Sequence, residues 1–205
     1  MPKTRTKRPR LTGEERRAQI INAALKIFAQ KGFKGARTKE IASEAEISET
    51  LVFQHFKTKN QLYLESLAEL FQGHPFETEL GVKMTKKNDY EVFHHLAHHF
   101  IKHSRADDRI MRLILYSGLE GLDLFRDHDE QQVLSGYIRR RIEDGVFKDL
   151  NPDLVARIFL GTVFMYAADL QLNLGGPNLD SSDEQAVETI VTIFLSGLQV
   201  VSEVK

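Results

Sequence analysis

Apolar residues recur at helical spacing along most of this chain, and capping residues punctuate the repeats. Thr12 and Glu15 have the spacing of a capping box before the first repeat, and Gly32 is expected to end that helix. No segment alternates between apolar and polar residues as a half-buried strand does. The pattern therefore predicts an all-α protein with about nine helices. The first apolar stripe comprises Ile20, Ile21, Ala24, Leu25 and Phe28.

Further capping signals predict where the later helices begin and end. Thr58, Asn88 and Ser181 are each followed three residues later by Glu or Gln, and Asn151 precedes a proline. The fourth helix is expected to stop at Gly73-His74-Pro75. The remaining helices are predicted at about 106–119, 122–144, 152–173 and 182–202, with Gly145 ending the second of these.

Residues 37–62 have the pattern of two short amphipathic helices that meet at a tight turn. Ile41, Ala42 and Ala45 lie on the core side of the first helix, and Ile47 fills the turn. Ser48 can cap the second helix, whose core side contains Val52 and Phe56, four residues apart. The polar surface left outside suits base edges and phosphates in a major groove, and comprises Glu49, Thr50, Leu51, Gln54 and His55.

This segment and the helix before it resemble the DNA-binding domain of the TetR family of bacterial transcriptional repressors. The resemblance covers about a quarter of the chain and implies a helix-turn-helix domain followed by a larger C-terminal helical domain that binds an effector and dimerises. We accordingly expect a disordered basic arm over 1–11, the helix-turn-helix domain over 12–58 and the ligand-binding and dimerisation domain over 59–205. The matching residues are Ala23-Ala24, Phe28, Gly32-Phe33, Thr38, Ile41-Ala42, Ile47-Ser48 and the run Phe53-x-His55-Phe56-x-x-Lys59.

Matched positions in the family imply roles for the residues of this reading surface. Glu49, Thr50 and Leu51 are expected to contact base edges, with Gln54 and Lys39 also within reach of the DNA. Thr38, His55 and Lys59 are expected to contact phosphates. The segment departs from the family pattern at three places. Glu46 replaces the usual glycine of the turn, and Phe53 replaces a tyrosine that touches a phosphate. Thr50 replaces a common glycine or proline, next to Val52 in place of a common leucine. A left-handed Glu46 would cost roughly 1–2 kcal/mol.

The charge distribution agrees with a DNA-binding N-terminus. Residues 1–59 contain 14 Lys and Arg residues against 6 Asp and Glu residues, although the whole chain of 205 residues has a net charge of −1. The arm is either a solubilising tail or a segment that lies on the DNA. The chain has no cysteine, which excludes disulfides, and no run of ~18 apolar residues that would span a membrane. We expect a cytoplasmic protein with no membrane partner. The basic residues of the arm are Lys3, Arg5, Lys7, Arg8 and Arg10.

The last two predicted helices carry apolar residues on more than one face, as helices in a four-helix dimer interface do. The alternative is a buried helix pair in a monomer. Dimerisation would also let two reading helices bind two half-sites of a palindrome. The expected interface residues are Phe159, Val163, Val187, Ile190, Val191, Phe194 and Leu198.

Large apolar residues between these two regions suit a pocket for an unknown small-molecule effector, as the family resemblance also implies. An apolar stripe of this kind is also typical of plain core. Asp169 lies in an apolar segment, so it would need a partner or a cationic ligand group if buried. The candidate effector-binding residues are Phe100, Met111, Leu115, Tyr116, Tyr137, Met165, Tyr166 and Asp169.

Five histidines lie between His94 and His103, and three pairs of them are four residues apart. Such pairs can bind zinc or nickel, so a metal-dependent hydrolytic enzyme is the alternative to a regulator. The favoured interpretation is a set of partly solvated polar stripes, because no zincin motif, nucleophile elbow or phosphate loop accompanies them. We therefore predict no catalytic residues, no metal and no cofactor. The predicted function is a homodimeric DNA-binding repressor that a small molecule releases from a palindromic operator.

Overall fold

Ten helices account for the part of the chain that the computed structural model describes, which comprises residues 11–71, 76–122, 130–174 and 181–200. No strand occurs in these ranges, which confirms the all-α prediction, and the ten helices agree with the predicted number of about nine. None of the described helices is long and apolar enough to cross a membrane. The helices are α1 Gly13–Gly35, α2 Thr38–Glu44, α3 Glu49–His55, α4 Lys59–Phe71, α5 Phe76–Thr85, α6 Asp89–Ala106, α7 Arg109–Glu120, α8 Glu130–Glu143, α9 Pro152–Leu172 and α10 Asp183–Leu198.

The chain divides into two compact units, Met1–Gln72 and Gly73–Lys205. In the first unit, α4 packs on α1 through the edge-to-face contact of Phe28 and Tyr63, whose ring centres are 4.8 Å apart. Tyr63 is buried there, beside the equally buried Leu62. The predicted domain boundary between residues 58 and 59 is therefore wrong, because α4 contributes to the core of the N-terminal unit. Residues 1–10 of the predicted arm, which spans 1–11, lie outside the described residues.

The second unit is built around α6 and α9, which pack on each other and on their neighbours α10 and α8. Phe93 of α6 meets Phe159 of α9 edge to face at 4.8 Å between ring centres, and Phe159 meets Phe194 of α10 at 5.2 Å. Phe93 and Phe159 are fully buried. These aromatic contacts tie three helices into one core.

Most of the predicted helix ends are correct, but Gly32 does not end α1: its φ of 69° interrupts the helix, which continues to Gly35. Thr12, Asn88 and Asn151 cap their helices as predicted, and Gly145 is left-handed after α8. The predicted cap Ser181 is wrong, because Ser182 forms the capping box with Gln185. The predicted stop at residues 73–75 lies outside the described residues.

The last helix is shorter than predicted, because α10 ends at Leu198 and not near residue 202. Gln199 forms an antiparallel bridge with Phe147, and the amide of Val200 donates to the carbonyl oxygen of Val146 at 3.1 Å. These backbone bonds replace the helical ones. The chain therefore leaves the helix in an extended conformation.

Candidate nucleic-acid interface

The segment from α2 to α3 is a helix-turn-helix whose turn is held by backbone hydrogen bonds. The amide of Ala45 donates to the carbonyl oxygen of Ile41 at 2.9 Å, and the amide of Ile47 donates to that of Ala42, also at 2.9 Å. The side-chain amide of Gln19 in α1 donates to the carbonyl oxygen of Ala45 at 2.8 Å. The turn is therefore fixed both locally and against α1.

Glu46 adopts a left-handed backbone conformation in this turn, with φ at 53°. TetR-family proteins usually have a glycine at this position of the turn. The strain that we predicted for a left-handed Glu46 is therefore present. A side chain with a Cβ in this region costs roughly 1–2 kcal/mol. The turn keeps its geometry because the neighbouring backbone bonds hold it.

Helix α3 begins at a serine cap and is anchored by two buried side chains. The Ser48 hydroxyl oxygen accepts a hydrogen bond from the Leu51 amide at 3.2 Å. Val52 and Phe56 are each 1% exposed, whereas Thr50 and Gln54 on the other side are exposed. Their anchoring gives the outward face of α3 a fixed orientation within the N-terminal unit, as a reader of base edges requires.

The first residues of the two helices are joined by a hydrogen bond. The hydroxyl of Thr38 donates to a carboxylate oxygen of Glu49, and both side chains are half-buried. Both residues are predicted to contact DNA, Thr38 through a phosphate and Glu49 through a base edge. A hydroxyl has one proton, so Thr38 cannot donate to Glu49 and to a phosphate at the same time.

Lys59 is engaged inside the N-terminal unit. Its ammonium donates to the carbonyl oxygens of Phe33 at 2.6 Å and Ala36 at 2.9 Å, at the end of α1. Two of its three donors are thereby used for folding. We therefore assign the phosphate contact predicted for Lys59 to exposed basic residues nearby.

Exposed basic residues that the sequence patterns did not single out flank α2 and α3. Arg37 precedes α2 and Lys57 follows α3, and both are exposed, as is the predicted contact Lys39. Other lysines of the unit are paired internally: Lys31 donates to Glu40 at 2.7 Å, which holds the pKa of that carboxyl below its usual value. In the sequence, only their charge marks Arg37 and Lys57 as candidate DNA contacts. Charge alone does not show which basic residues form ion pairs within the protein and which face the solvent.

Comparisons with known proteins agree with this geometry. The family described as "Bacterial regulatory proteins, tetR family" matches residues 20–66, which span most of α1 to α4. The HTH-type transcriptional regulator YvkB of Bacillus subtilis is 24% identical over 88% of this chain and 95% of its own length. The chain is a TetR-family regulator. TetR-family proteins are DNA-binding transcriptional regulators, so the chain is not an enzyme and the hydrolase alternative is not supported.

One further relative and one solved structure match nearly the whole length of this TetR-family protein. The transcriptional repressor KstR2 of Mycolicibacterium smegmatis is 25% identical over 89% of this chain and 90% of its own. Among solved structures, the regulator FadR of Bacillus subtilis, in complex with stearoyl-CoA, has a TM-score of 0.68 at 17% identity. That match covers 88% of this chain and 98% of FadR. The fold therefore extends through the C-terminal unit.

The predicted effector residues of the TetR-family chain do not form one site. Met111 is fully buried in the core, and Met165 is exposed on α9. Tyr137 is buried, and its hydroxyl donates to Asp89. Burial, and then this bond, raise the pKa of Tyr137. We therefore remove Met111, Met165 and Tyr137 from the candidate site. The half-buried residues of the set are Phe100, Leu115, Tyr116, Tyr166 and Asp169.

The described surface of the C-terminal unit has an open groove of about 670 Å³ between α9 and the start of α10. Among the described residues that line it, Tyr166 alone was predicted to bind the effector. Its other lining residues include Gln185, Glu188 and Ile190, none of which was assigned to the effector. The groove combines apolar and polar walls, as small-molecule sites do.

The histidines of α6 form two stripes that face different acidic residues. The Nε2 atom of His94 is 3.0 Å from a carboxylate oxygen of Glu184 in α10, and the rings of His94 and His98 stack at 5.7 Å. The Nε2 atom of His95 is 3.9 Å from Glu79. Among the described residues, no group of three or more potential ligands is arranged to hold a metal ion.

Five of the seven predicted dimer-interface residues lie inside the protomer. Each is at most 5% exposed, so these side chains cannot form a surface for a second copy. Ile190 and Phe194 remain half-buried. The predicted interface residues are on the wrong face of α9 and α10. The apolar stripe with the most regular helical spacing is the one that packs in the protomer core. The five buried residues are Phe159, Val163, Val187, Val191 and Leu198.

Proposed function

We propose that this TetR-family regulator is a homodimeric repressor that binds a palindromic operator in the cytoplasm and leaves it when a small molecule binds the C-terminal unit. The observation that carries the proposal is the fixed, outward face of α3, anchored by Val52 and Phe56. The relative KstR2 is a transcriptional repressor, which supports repression as the proposed mode of regulation.

Each protomer reads one half-site through α3. Thr50, Leu51 and Gln54 contact base edges, because they lie on the side of α3 opposite its buried residues. His55 and Lys39 flank them, and Arg37 and Lys57 supply the phosphate contacts that set the register.

A second copy covers the exposed apolar stripe of α9 and Ile193 of α10. On α9, Leu154, Ile158 and Met165 are each more than half exposed and recur at helical spacing. Ile193 of α10 is 64% exposed on the side away from the buried Val191 and Leu195. Apolar side chains grouped in this way mark a protein interface more often than a solvated surface. Dimerisation then doubles the number of base pairs read.

The effector binds in the C-terminal unit, in the groove between α9 and the start of α10 that Tyr166 and Ile190 line. Both of these side chains are half-buried. FadR of Bacillus subtilis, whose fold is similar, was solved with stearoyl-CoA, which makes a long-chain acyl-CoA the first effector class to test. Release requires that the ligand bind the DNA-incompetent state more tightly than the competent one.

Retention of the full-length protein on random duplex DNA tests the DNA-binding function. We expect affinity to fall steeply as the salt concentration rises from about 50 to 200 mM. The variants Arg37→Ala and Lys57→Ala should each weaken binding to all duplexes and make the salt dependence shallower by about one unit of slope. Lys26→Ala is the matched control, because its ammonium is paired with Glu44 at 2.6 Å. Binding that is absent, or independent of salt, would contradict the proposal.

Stearoyl-CoA added to the protein bound to a selected operator tests the effector class. Release of the DNA at micromolar ligand, with coenzyme A alone as the control, is the expected result. Retention of the DNA in both cases would exclude the acyl-CoA class and leave DNA binding itself untouched.

A further inference from the structure

The side chains of Thr38 and Glu49 form a direct hydrogen bond between the N-termini of α2 and α3 in the N-terminal unit. Building on the proposed DNA-binding function, we propose that Thr38 is a positioning residue for Glu49 and that Glu49 selects a cytosine in each half-site. Thr38 then makes no phosphate contact. This assignment differs from the one implied by matched position.

The hydrogen bond restricts the Glu49 carboxylate. A glutamate side chain at the first position of an exposed helix has three rotatable bonds, and it would otherwise sample several orientations at the DNA surface. The Thr38 hydroxyl donates to one carboxylate oxygen, which leaves the other as an acceptor. Both residues are half-buried, so the pair is held at the edge of the reading surface and is not in bulk solvent.

A carboxylate at this place contributes to sequence preference and not to overall affinity. Duplex DNA is polyanionic, so a negative side chain in the reader weakens binding to any sequence unless a base donates a hydrogen bond to it. In the major groove only cytosine N4 and adenine N6 donate. Adenine also presents its N7 acceptor beside the amine, which repels a carboxylate, whereas cytosine presents no acceptor of its own there. Cytosine is therefore the base that fits.

The chemistry of the acceptor gives a directional test. A glutamine has nearly the same shape as a glutamate, but its amide both donates and accepts, and this pattern matches the N6 and N7 atoms of adenine. Glu49→Gln should therefore change the preferred base from cytosine to adenine at one position of each half-site. Thr38→Val removes the positioning bond and keeps the carboxylate, while Thr38→Ser keeps the hydroxyl.

The experiment is selection of bound duplexes from a random pool by the full-length wild-type protein and its variants, with sequencing of the bound fraction. We expect a cytosine preference of roughly 5- to 100-fold at one position for the wild type and Thr38→Ser. It should be lost at that same position in Thr38→Val and switched to adenine in Glu49→Gln. Binding of Glu49→Gln to DNA lacking the operator should strengthen, because a negative charge has been removed.

Glu46→Gln is the matched charge control. Glu46 is an exposed carboxylate in the adjacent turn, so its loss should strengthen binding to unrelated DNA without changing the cytosine preference. The inference is overturned if Thr38→Val weakens binding to every duplex and leaves all base preferences intact, since that is the signature of a phosphate contact. It is also overturned if Glu49→Gln changes no preference. Failure of the wild type to bind any duplex would instead overturn the proposed function.

Discussion

The side-chain nitrogen of Lys59 lies 4.4 Å from the ring centre of Phe33 and donates a hydrogen bond of 2.6 Å to the carbonyl oxygen of that residue. The same ammonium reaches the carbonyl oxygen of Ala36. One cation at the start of α4 thus satisfies two carbonyl groups at the end of α1. The N-terminal unit depends on it before any DNA is bound.

Lys59→Met should lower the free energy of unfolding by about 2 kcal/mol, because two carbonyl oxygens lose a charged donor. Lys57→Met removes the same charge from an exposed side chain and should change stability by less than about 0.5 kcal/mol. Urea denaturation followed by circular dichroism measures both, and hydrogen exchange in α1 localises the loss. Equal stability of the two variants would show that the Lys59 contacts contribute little.

Glu46→Gly should stabilise the protein. The relief of left-handed strain is worth roughly 1–2 kcal/mol, and the extra freedom of glycine in the unfolded chain offsets about 0.5–1 kcal/mol of it. Glu46→Ala keeps the Cβ atom and should bring no such gain, which makes it the control for loss of the carboxylate. A glycine variant no more stable than the alanine variant would mean that the turn is not strained.

Ile193→Lys should convert the proposed dimer into monomers, because a lysine at this exposed position of α10 would have to be buried in the interface without a partner. Light scattering at micromolar concentration gives the mass. Leu119→Lys is the matched control, since Leu119 is also an exposed apolar residue but lies on α7. A monomeric wild type, or a dimeric Ile193→Lys, would remove this interface from the proposal.

Asp144 should make stability sensitive to acid. Hydrogen bonds from Lys87 and Arg141 hold the pKa of its carboxyl below the usual value of 3.8. A lowered folded-state pKa adds stability above the unfolded-state value, and this contribution disappears as the pH falls below about 4 and through the folded-state pKa.

Asp144→Asn should therefore lower stability at pH 7 and flatten the acid limb of the stability profile below pH 4. Lys87→Met should flatten that limb partly, because Arg141 still donates to Asp144 at 2.9 Å. Thermal unfolding between pH 2 and pH 7 gives the comparison. An Asp144→Asn profile parallel to that of the wild type would exclude this carboxyl as a source of acid sensitivity.

Local signals predicted the helix-turn-helix well. The cap at Ser48, the buried pair Val52 and Phe56, and the capping box of Thr12 and Glu15 depend on residues within about four positions of each other. At that range spacing and side-chain chemistry are sufficient, because a helix presents residues four apart on one face.

Contacts between distant residues could not be read in this way. Lys59 is 26 positions from Phe33, and Tyr137 is 48 positions from Asp89. Whether a lysine faces DNA or a carbonyl oxygen depends on which helix end packs beside it. The same holds for the apolar faces of α9 and α10: both faces suit burial, and only the packing of α6 against them shows which one the protomer covers.

The amino-acid sequence by itself determined that this protein is all-helical, that it carries a helix-turn-helix near its N-terminus and that positive charge concentrates there. Those properties follow from composition and from short-range periodicity. Only the tertiary structure decided that α4 belongs to the reader's core, that Thr38 is committed to Glu49 and that five supposed interface residues are internal. These depend on long-range packing, in which each side chain has several chemically acceptable partners and the fold selects one of them.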